Sequence, residues 1–340
     1  MSVARVLVGR KQIIAEVPVR GFFRLDGGLL IRNKFTRNMG FIIDGLLRLT
    51  NVTVFDEGGA SRTAQTSTGS LLQSAGASGE QGPVIFAQFG TGTTAPTVND
   101  NNLASPSLIL PTSYIDIVED TSSMNLLIAA RYSTSTLLNA TEMGLKLFVD
   151  TAGNFVTLLS RTRFPSAVSR SAYVSYFDGY QLSFPAEFTQ WFVRALFCAM
   201  VGHRRRPTSC LNSKMPDGSD YAIQSPNVFA GSPDVVIGSD NTPASPTFTN
   251  LRSPIAPLST QTQTVEVDTA LNEVRIVRTG IYTPATTTQL GEIGLFANIN
   301  GFVGATVAAR RTLLVRVALS TPITLNAGTT YTLGIVLKFT

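Results

Sequence analysis

The sequence predicts an all-β chain made of two tandem, duplicated β-sandwiches, jelly-roll-like in topology, each with one short helix. Three observations predict it. A pattern recurs at a spacing of about 150 residues, one domain's worth of chain. Short runs rich in β-branched and aromatic residues alternate with Gly, Asn, Asp and Pro turns. Charged residues make up only 14% of the 340, well below the ~25% of an average soluble protein, with Thr, Ser, Gly, Asn and Ala in their place.

The recurrence is clearest around two glutamates. Thr141-Glu142-Met143-Gly144-Leu145, then Phe148 and Gly153-Asn154-Phe155-Val156, matches Gly291-Glu292-Ile293-Gly294-Leu295-Phe296, then Asn300-Gly301-Phe302-Val303. Upstream, Val84 to Phe89 leads to Gly90-Thr91-Gly92-Thr93-Thr94-Ala95-Pro96 and Leu103-Ala104-Ser105-Pro106. Val235-Val236-Ile237 leads likewise to Gly238-Ser239-Asp240-Asn241-Thr242-Pro243 and Leu251-Arg252-Ser253-Pro254. Downstream, Asp178-Gly179 and Ala327-Gly328 read as hairpin turns, where glycine tolerates positive φ. Asp26-Gly27 supplies a third such hairpin at the start of the chain. The expectation is that Glu142 superposes on Glu292 and Gly179 on Gly328.

Each hairpin runs into a Phe-Thr pair: Phe35-Thr36, Phe188-Thr189 and Phe339-Thr340. Thr36 and Thr189 are expected N-caps, their hydroxyls accepting from an early helical amide. Phe35, Met39, Ile42, Ile43 and Leu46 follow helical spacing, as do Phe188, Phe192, Ala195, Leu196 and Ala199. These stripes read as core. Each helix is expected to cover the sandwich downstream of it, leaving the N-terminal hairpin unpaired within the chain and free to pack on a neighbouring subunit.

Strand signals cover residues 107–118, 123–132, 155–160 and 172–177 in the first copy, and 264–267, 273–281, 303–308 and 312–318 in the second. Seven or eight strands per copy suit a sandwich. The organisation read from this is an N-terminal hairpin or arm at 1–35, a first repeat at 36–186 and a second at 187–340. The sandwiches proper span 83–186 and 234–340. Two long polar connections, 56–82 and 203–227, each follow a helix. Loops of that length are usually functional or disordered, and both are expected to be arms reaching over neighbouring subunits.

The chemistry of the residues points away from catalysis. The single histidine, His203, leaves triads and His-rich metal sites without parts. It adjoins Arg204, Arg205 and Arg206, the one dense basic cluster, which reads as a solvated or partner-facing loop. A net charge of +5 without a concentrated stripe disfavours nucleic acid. Gly90 to Ala95 fits G-x-G-x-x-A, but Pro96 and Asp100-Asn101-Asn102 preclude the helix that a dinucleotide site needs. Asp217-Gly218-Ser219-Asp220 lacks calcium-loop spacing. Glu142 and Glu292 could suggest a glycosidase pair, but they sit in separate copies, where a structural bond to a turn is the better reading. No cofactor is implied. Cys198 reads as a small buried hydrophobe beside a second cysteine, Cys210, consistent with assembly in a reducing cytoplasm. The N-terminus is interrupted by charge and is no signal peptide, and no apolar stretch suffices for a membrane helix.

These motifs resemble those of tailed-phage virion proteins. Asn33-Lys34-Phe35-Thr36 with its short helix is similar to their N-x-x-T opening. Gly90-Thr91-Gly92-Thr93-Thr94-Ala95-Pro96 with Leu103 resembles their GTGTTAP loop, and Glu292-Ile293-Gly294-Leu295-Phe296 their EIGLF strand. The resemblance implies a non-enzymatic β-sandwich of the tail, fibre, collar or baseplate type. Such a protein assembles with copies of itself and other virion proteins in the host cytoplasm. The duplication and the altered loop at 238–243 depart from the pattern. The runner-up is a host-receptor or carbohydrate-binding module on the particle surface, with Tyr114, Tyr132, Tyr282 and Tyr331 as candidate exposed aromatics. An enzyme is third.

Overall fold

A computed structural model describes residues 4–9, 11–67, 71, 85–110, 114–120, 123–149, 155–200, 212–224, 227–303 and 306–340. Strands β1 (Arg5–Val8), β2 (Gln12–Arg24), β3 (Leu30–Arg32) and β4 (Lys34–Phe35) lead into helix α1 (Arg37–Arg48). A small hairpin follows, β5 (Val52–Phe55) with β6 (Ser61–Ala64). The first copy then runs β7 (Ile85–Gly90), β8 (Pro106–Leu110), β9 (Tyr114–Asp120), β10 (Ser123–Ser133), β11 (Leu138–Val149), β12 (Phe155–Arg170) and β13 (Ser175–Pro185). Helix α2 (Gln190–Met200) and the hairpin β14 (Asn212–Lys214), β15 (Asp220–Ile223) come next. The second copy is β16 (Phe229–Gly238), β17 (Pro254–Pro257), β18 (Ser259–Asp268), β19 (Glu273–Tyr282), β20 (Thr288–Val303), β21 (Thr306–Leu325) and β22 (Tyr331–Phe339).

The two copies pair their strands identically. The first has β12-β11-β7-β8 in one layer and β13-β10-β9 in the other; the second has β21-β20-β16-β17 and β22-β19-β18. The register matches residue by residue. Glu142 lies opposite Gly90 and Glu292 opposite Gly238. Ala129 faces Gly179 and Thr279 faces Gly334. The duplicated sandwich predicted from the repeat is therefore present. Its glycine correspondence is different, however. Gly179 matches Gly334, and both lie mid-strand where the neighbouring strand's backbone leaves no room for a Cβ. Gly328, at φ +71, is a true turn residue; Asp178-Gly179 is not a turn. By the same register Phe339 matches Phe184 rather than Phe188, so Phe339-Thr340 is not a third copy of the helix-initiating Phe-Thr.

Strand β2 overturns a second expectation. It is not left unpaired: it pairs antiparallel with β13 and parallel with β22, fusing one layer of each copy into a single nine-stranded sheet. The sequence reason is its alternation. Ala15, Val17, Val19 and Phe23 are buried, while Glu16, Pro18, Arg20 and Phe22 face outward half-exposed, the period-2 pattern of a strand with one covered face. Beyond the turn at Gly27 and Gly28, both at positive φ, β3 returns along β2 and β4 crosses to the other layer, placing Phe35 opposite Ser160.

Each helix fills the seam between copies. Helix α1 packs on β12 of the first copy and on β16, β18 and β19 of the second; α2 packs on β21 of the second and on β9 and β10 of the first. The expectation that a helix covers only the copy downstream is thus corrected. A β-sandwich edge needs a cover, and here one apolar stripe serves two edges. Its buried side chains, Met39, Ile42, Ile43 and Leu46 in α1 and Phe192, Ala195, Leu196 and Ala199 in α2, join one core that runs through both copies.

The long connections are also not free arms where they are described. Asp56 closes the β5–β6 turn with bonds to the amides of Gly58 and Ala60, and Leu71 is buried, its amide bonded to Ala199. In the second connection β15 adds to the edge of β20. Two strand readings also divide. Residues 107–118 are the separate strands β8 and β9, and 303–308 straddles the junction of β20 and β21.

Candidate functional site

The residues behind the recurring motifs converge on one buried arrangement, built twice. Glu142 on β11 has no exposed surface. Its carboxylate accepts from the loop amides of Gly92 (3.0 Å), Ala104 (3.2 Å) and Ser105 (2.8 Å) and from Arg161 Nε (2.7 Å). Arg161 on β12 is itself 3% exposed. It spends its remaining donors on Asp100 (2.7 Å) and on the carbonyl and hydroxyl of Thr94. In the second copy Glu292 accepts from the amides of Arg252 (3.3 Å) and Ser253 (2.8 Å) and from Arg316 Nε (2.6 Å). Arg316 donates on to Asp240 (3.0 Å) and the Thr242 carbonyl (2.8 Å).

The glycines of the motif follow from this. A Cβ on Gly90 would meet Glu142 Oε1 and the Ser105 carbonyl at 2.6 Å, and one on Gly238 would meet Glu292 Cγ at 2.6 Å. Gly144 and Gly294 leave room for Leu103 and Leu251, whose side chains would lie 2.8 and 2.7 Å from an added Cβ. The pattern is thus a loop clamp: a buried charge pair whose free lone pairs hold loop amides, with small residues where the loop crosses the strand. A buried charge is tolerated only when so fully partnered. Chemically the pair holds a loop in place; each carboxylate is closed off from solvent, and the two sit in different copies. Among the described residues no cluster of three or more His, Cys, Asp or Glu could hold a metal.

The Phe-Thr pairs dock the helices to these same strands. Thr36 donates its hydroxyl to the Leu158 carbonyl (2.5 Å), and Thr189 to that of Leu313 (2.6 Å). The hydroxyl of Thr36 makes no cap bond, a correction to its expected role; that of Thr189 does accept from the Phe192 amide at 3.3 Å. Phe35 meets Phe339 edge-on, and Phe188 packs between Phe184 and Phe192. His203 and Arg204, Arg205 and Arg206 lie outside the described residues. Cys198, buried in α2, is disulfide-bonded rather than a free thiol; Cys210, the other cysteine of the sequence, lies outside the described residues.

Composition and strand alternation do not by themselves single out Arg161 and Arg316. Leu158-Leu159-Ser160-Arg161 and Leu313-Leu314-Val315-Arg316 carry the signal, a Leu-Leu-x-Arg at matching places in the repeat. A second buried network belongs to the first copy alone. Asp178 accepts from Arg170 (2.6 and 2.9 Å), from the Tyr132 hydroxyl (2.5 Å) and from the Asp26 amide (2.7 Å), tying the copy to the N-terminal turn. Burial, with the Asp178 carboxylate alongside, pushes the Tyr132 hydroxyl well above the usual range. Tyr132 is therefore spent on structure, and Tyr331 is buried. Among the described side chains, which do not include that of Tyr114, the exposed aromatic is Tyr173, at 84% exposure and φ +59.

No family model and no curated protein matches the chain. Among solved structures, the 2'-deoxycytidine 5'-triphosphate deaminase from Agrobacterium tumefaciens aligns over 78% of this chain and 91% of its own, at 9% identity and a TM-score of 0.12. A score that low carries no argument about fold or function.

Proposed function

We propose that the chain is a non-enzymatic structural component of a virus particle, assembling with copies of itself and with other virion proteins. The observation that carries this reading is an exposed apolar tip present on one copy and absent from its duplicate. In the first copy Leu137, Tyr173 and Val174 stand exposed together at the ends of β10–β11 and β12–β13. The register places Thr287, Gly328 and Thr329 at the same positions in the second. The backbone is the same in both. The Tyr173 amide donates to Thr134 and that of Gly328 to Pro284, each at 2.8 Å, and the tyrosine hydroxyls of Tyr176 and Tyr331 accept from Ser171 and Asn326. The fold is therefore satisfied by glycine and threonine here. An aromatic held at positive φ costs about 1–2 kcal/mol relative to glycine and gains nothing from burial, so its use lies outside the chain. Exposed aromatic and aliphatic groups of this kind anchor protein interfaces. The motif resemblance supplies the setting, and no helix among the described residues is long and apolar enough to cross a membrane.

The test transplants the duplicate's own residues: Leu137→Thr, Tyr173→Gly and Val174→Thr together. The chain should fold as before and fail to enter particles when co-expressed with the remaining virion genes. Incorporation at the wild-type level would remove the tip from the interface. Tyr173 also favours the runner-up, a receptor or carbohydrate contact. A glycan array with the isolated chain separates the two, since that reading requires Tyr173-dependent sugar binding with assembly unchanged.

A further inference from the structure

A second feature belongs to the junction between the copies. Where β4 leaves the nine-stranded sheet for the other layer, a cleft of about 760 Å³ opens. Its walls come from β1, β2 and β3, the middle of β12, the end of β22, and the Ala95-Pro96 corner of the clamped loop. Six cationic side chains line it: Arg5, Arg20, Arg32, Lys34, Arg163 and Lys338. Among the described residues only Glu16 and Glu273 oppose them, and Glu273 is already shared between Lys338 (3.0 Å) and Arg275 (3.2 Å). Among the described residues Arg5, Arg20 and Lys34 form no ion pair, and Arg20 Nε is buried without a hydrogen-bond partner.

Among the described residues the cations that are buried outright carry carboxylate partners instead, Lys146 with Glu57 among them. Arg161, Arg170 and Arg316 are each matched to carboxylates within 3.0 Å. The basic character is also not demanded by the fold, because the position of Arg163 in the second copy is Ala318. The walls are held. Arg161 and Arg163 donate to Thr94 and Thr93 of the loop, Asn272 of the second copy donates to the Pro96 carbonyl at 3.0 Å, and Arg32 donates to Thr340 Oγ1 at 3.0 Å. A fixed concave site with four surplus positive side-chain charges, six minus two, focuses the field on one sign of ligand. Guanidinium forks suit the paired oxygens of phosphate or carboxylate. The volume is that of a small-molecule site rather than a polymer groove.

From this we infer that the cleft binds a compact multivalent oxyanion, with phosphate or carboxylate groups bridging the N-terminal strands and the first copy. The inference stands apart from the assembly reading, since it needs no partner protein. Calorimetric titration of the full chain at low salt with pyrophosphate, and separately with citrate, tests it and tells the two oxyanions apart. Saturable one-site binding of at least one is expected, weakening at least tenfold in Arg163→Gln and in Arg32→Gln. Both side chains are exposed, so the fold should survive, and matched thermal melting confirms that. Arg311→Gln, outside the cleft, should bind as wild type. The inference is overturned if neither anion binds saturably, if Arg163→Gln and Arg32→Gln leave binding unchanged, or if Arg311→Gln weakens it equally.

Discussion

Replacing Glu142 by glutamine keeps the side chain's shape and removes its charge. One oxygen remains to accept from Gly92 and Ser105, but an NH2 group now faces the Ala104 amide and Arg161 Nε, both donors. Arg161, 3% exposed, is left with Asp100 as its sole carboxylate. Breaking one side of a buried pair costs ~3–5 kcal/mol. With an unfolding entropy near 2.1 cal/mol/K per residue, ~0.7 kcal/mol/K for this length, the midpoint should fall by about 4–7 °C. Glu292→Gln should cost about as much, since it too sets an NH2 group against one loop amide, that of Arg252, and against Arg316 Nε. Removing both charges, Glu142→Met with Arg161→Met, should not restore stability as it does for a simple ion pair, because three loop amides lose their acceptor at ~1–3 kcal/mol each. Equilibrium denaturation with thermal melting measures all three. A loss below ~1 kcal/mol for Glu142→Gln, or recovery in the double variant, would refute the clamp.

Gly21→Ala should destabilise the chain by ~1–3 kcal/mol, because an added Cβ drives into Asn33 and the Tyr180 hydroxyl; a neutral melting curve would show that β2 can shift. Since β2 unites the two copies, denaturation followed by Trp191 fluorescence and by far-UV dichroism should coincide; separated transitions would mean the copies unfold independently. Lys146 is buried with Glu57 and Asn102 as partners, and burial holds its ammonium below the ordinary lysine range. In the duplicate its place is Phe296, packed with Val236, Leu251 and Leu313. The unfolded chain therefore binds a proton that the folded chain gives up, so stability should rise as pH climbs through the depressed value toward the unfolded one. Lys146→Met should match or exceed wild-type stability at neutral pH, within ~1 kcal/mol, and that advantage should shrink under alkaline conditions. Urea titrations at neutral and alkaline pH would reveal a constant difference if the reasoning fails.

What the sequence by itself determined was local and repeated. Alternation marked the strands, helical spacing marked α1 and α2, and the repeat placed Glu142 and Glu292 in equivalent positions, because these patterns record which face of an element meets the core. The identical pairing of the two copies follows from that equivalence. What only the tertiary structure decided depends on partners distant in the chain. The placement of Ala15 opposite Ile335 and of Gly21 opposite Leu182 is invisible to periodicity, which says that β2 has one buried face and not which edges it joins. The same holds for Asp178. Asp-Gly reads as a turn by propensity, yet Arg170 and Tyr132 can neutralise and bond a buried carboxylate mid-strand, and tertiary context outweighs a strand-propensity deficit of at most about 1 kcal/mol. The charge of the cleft was equally unreadable. Arg5, Arg20, Arg32, Lys34, Arg163 and Lys338 are scattered from one end of the chain to the other, and only the threading of β2 between the copies brings them to one place.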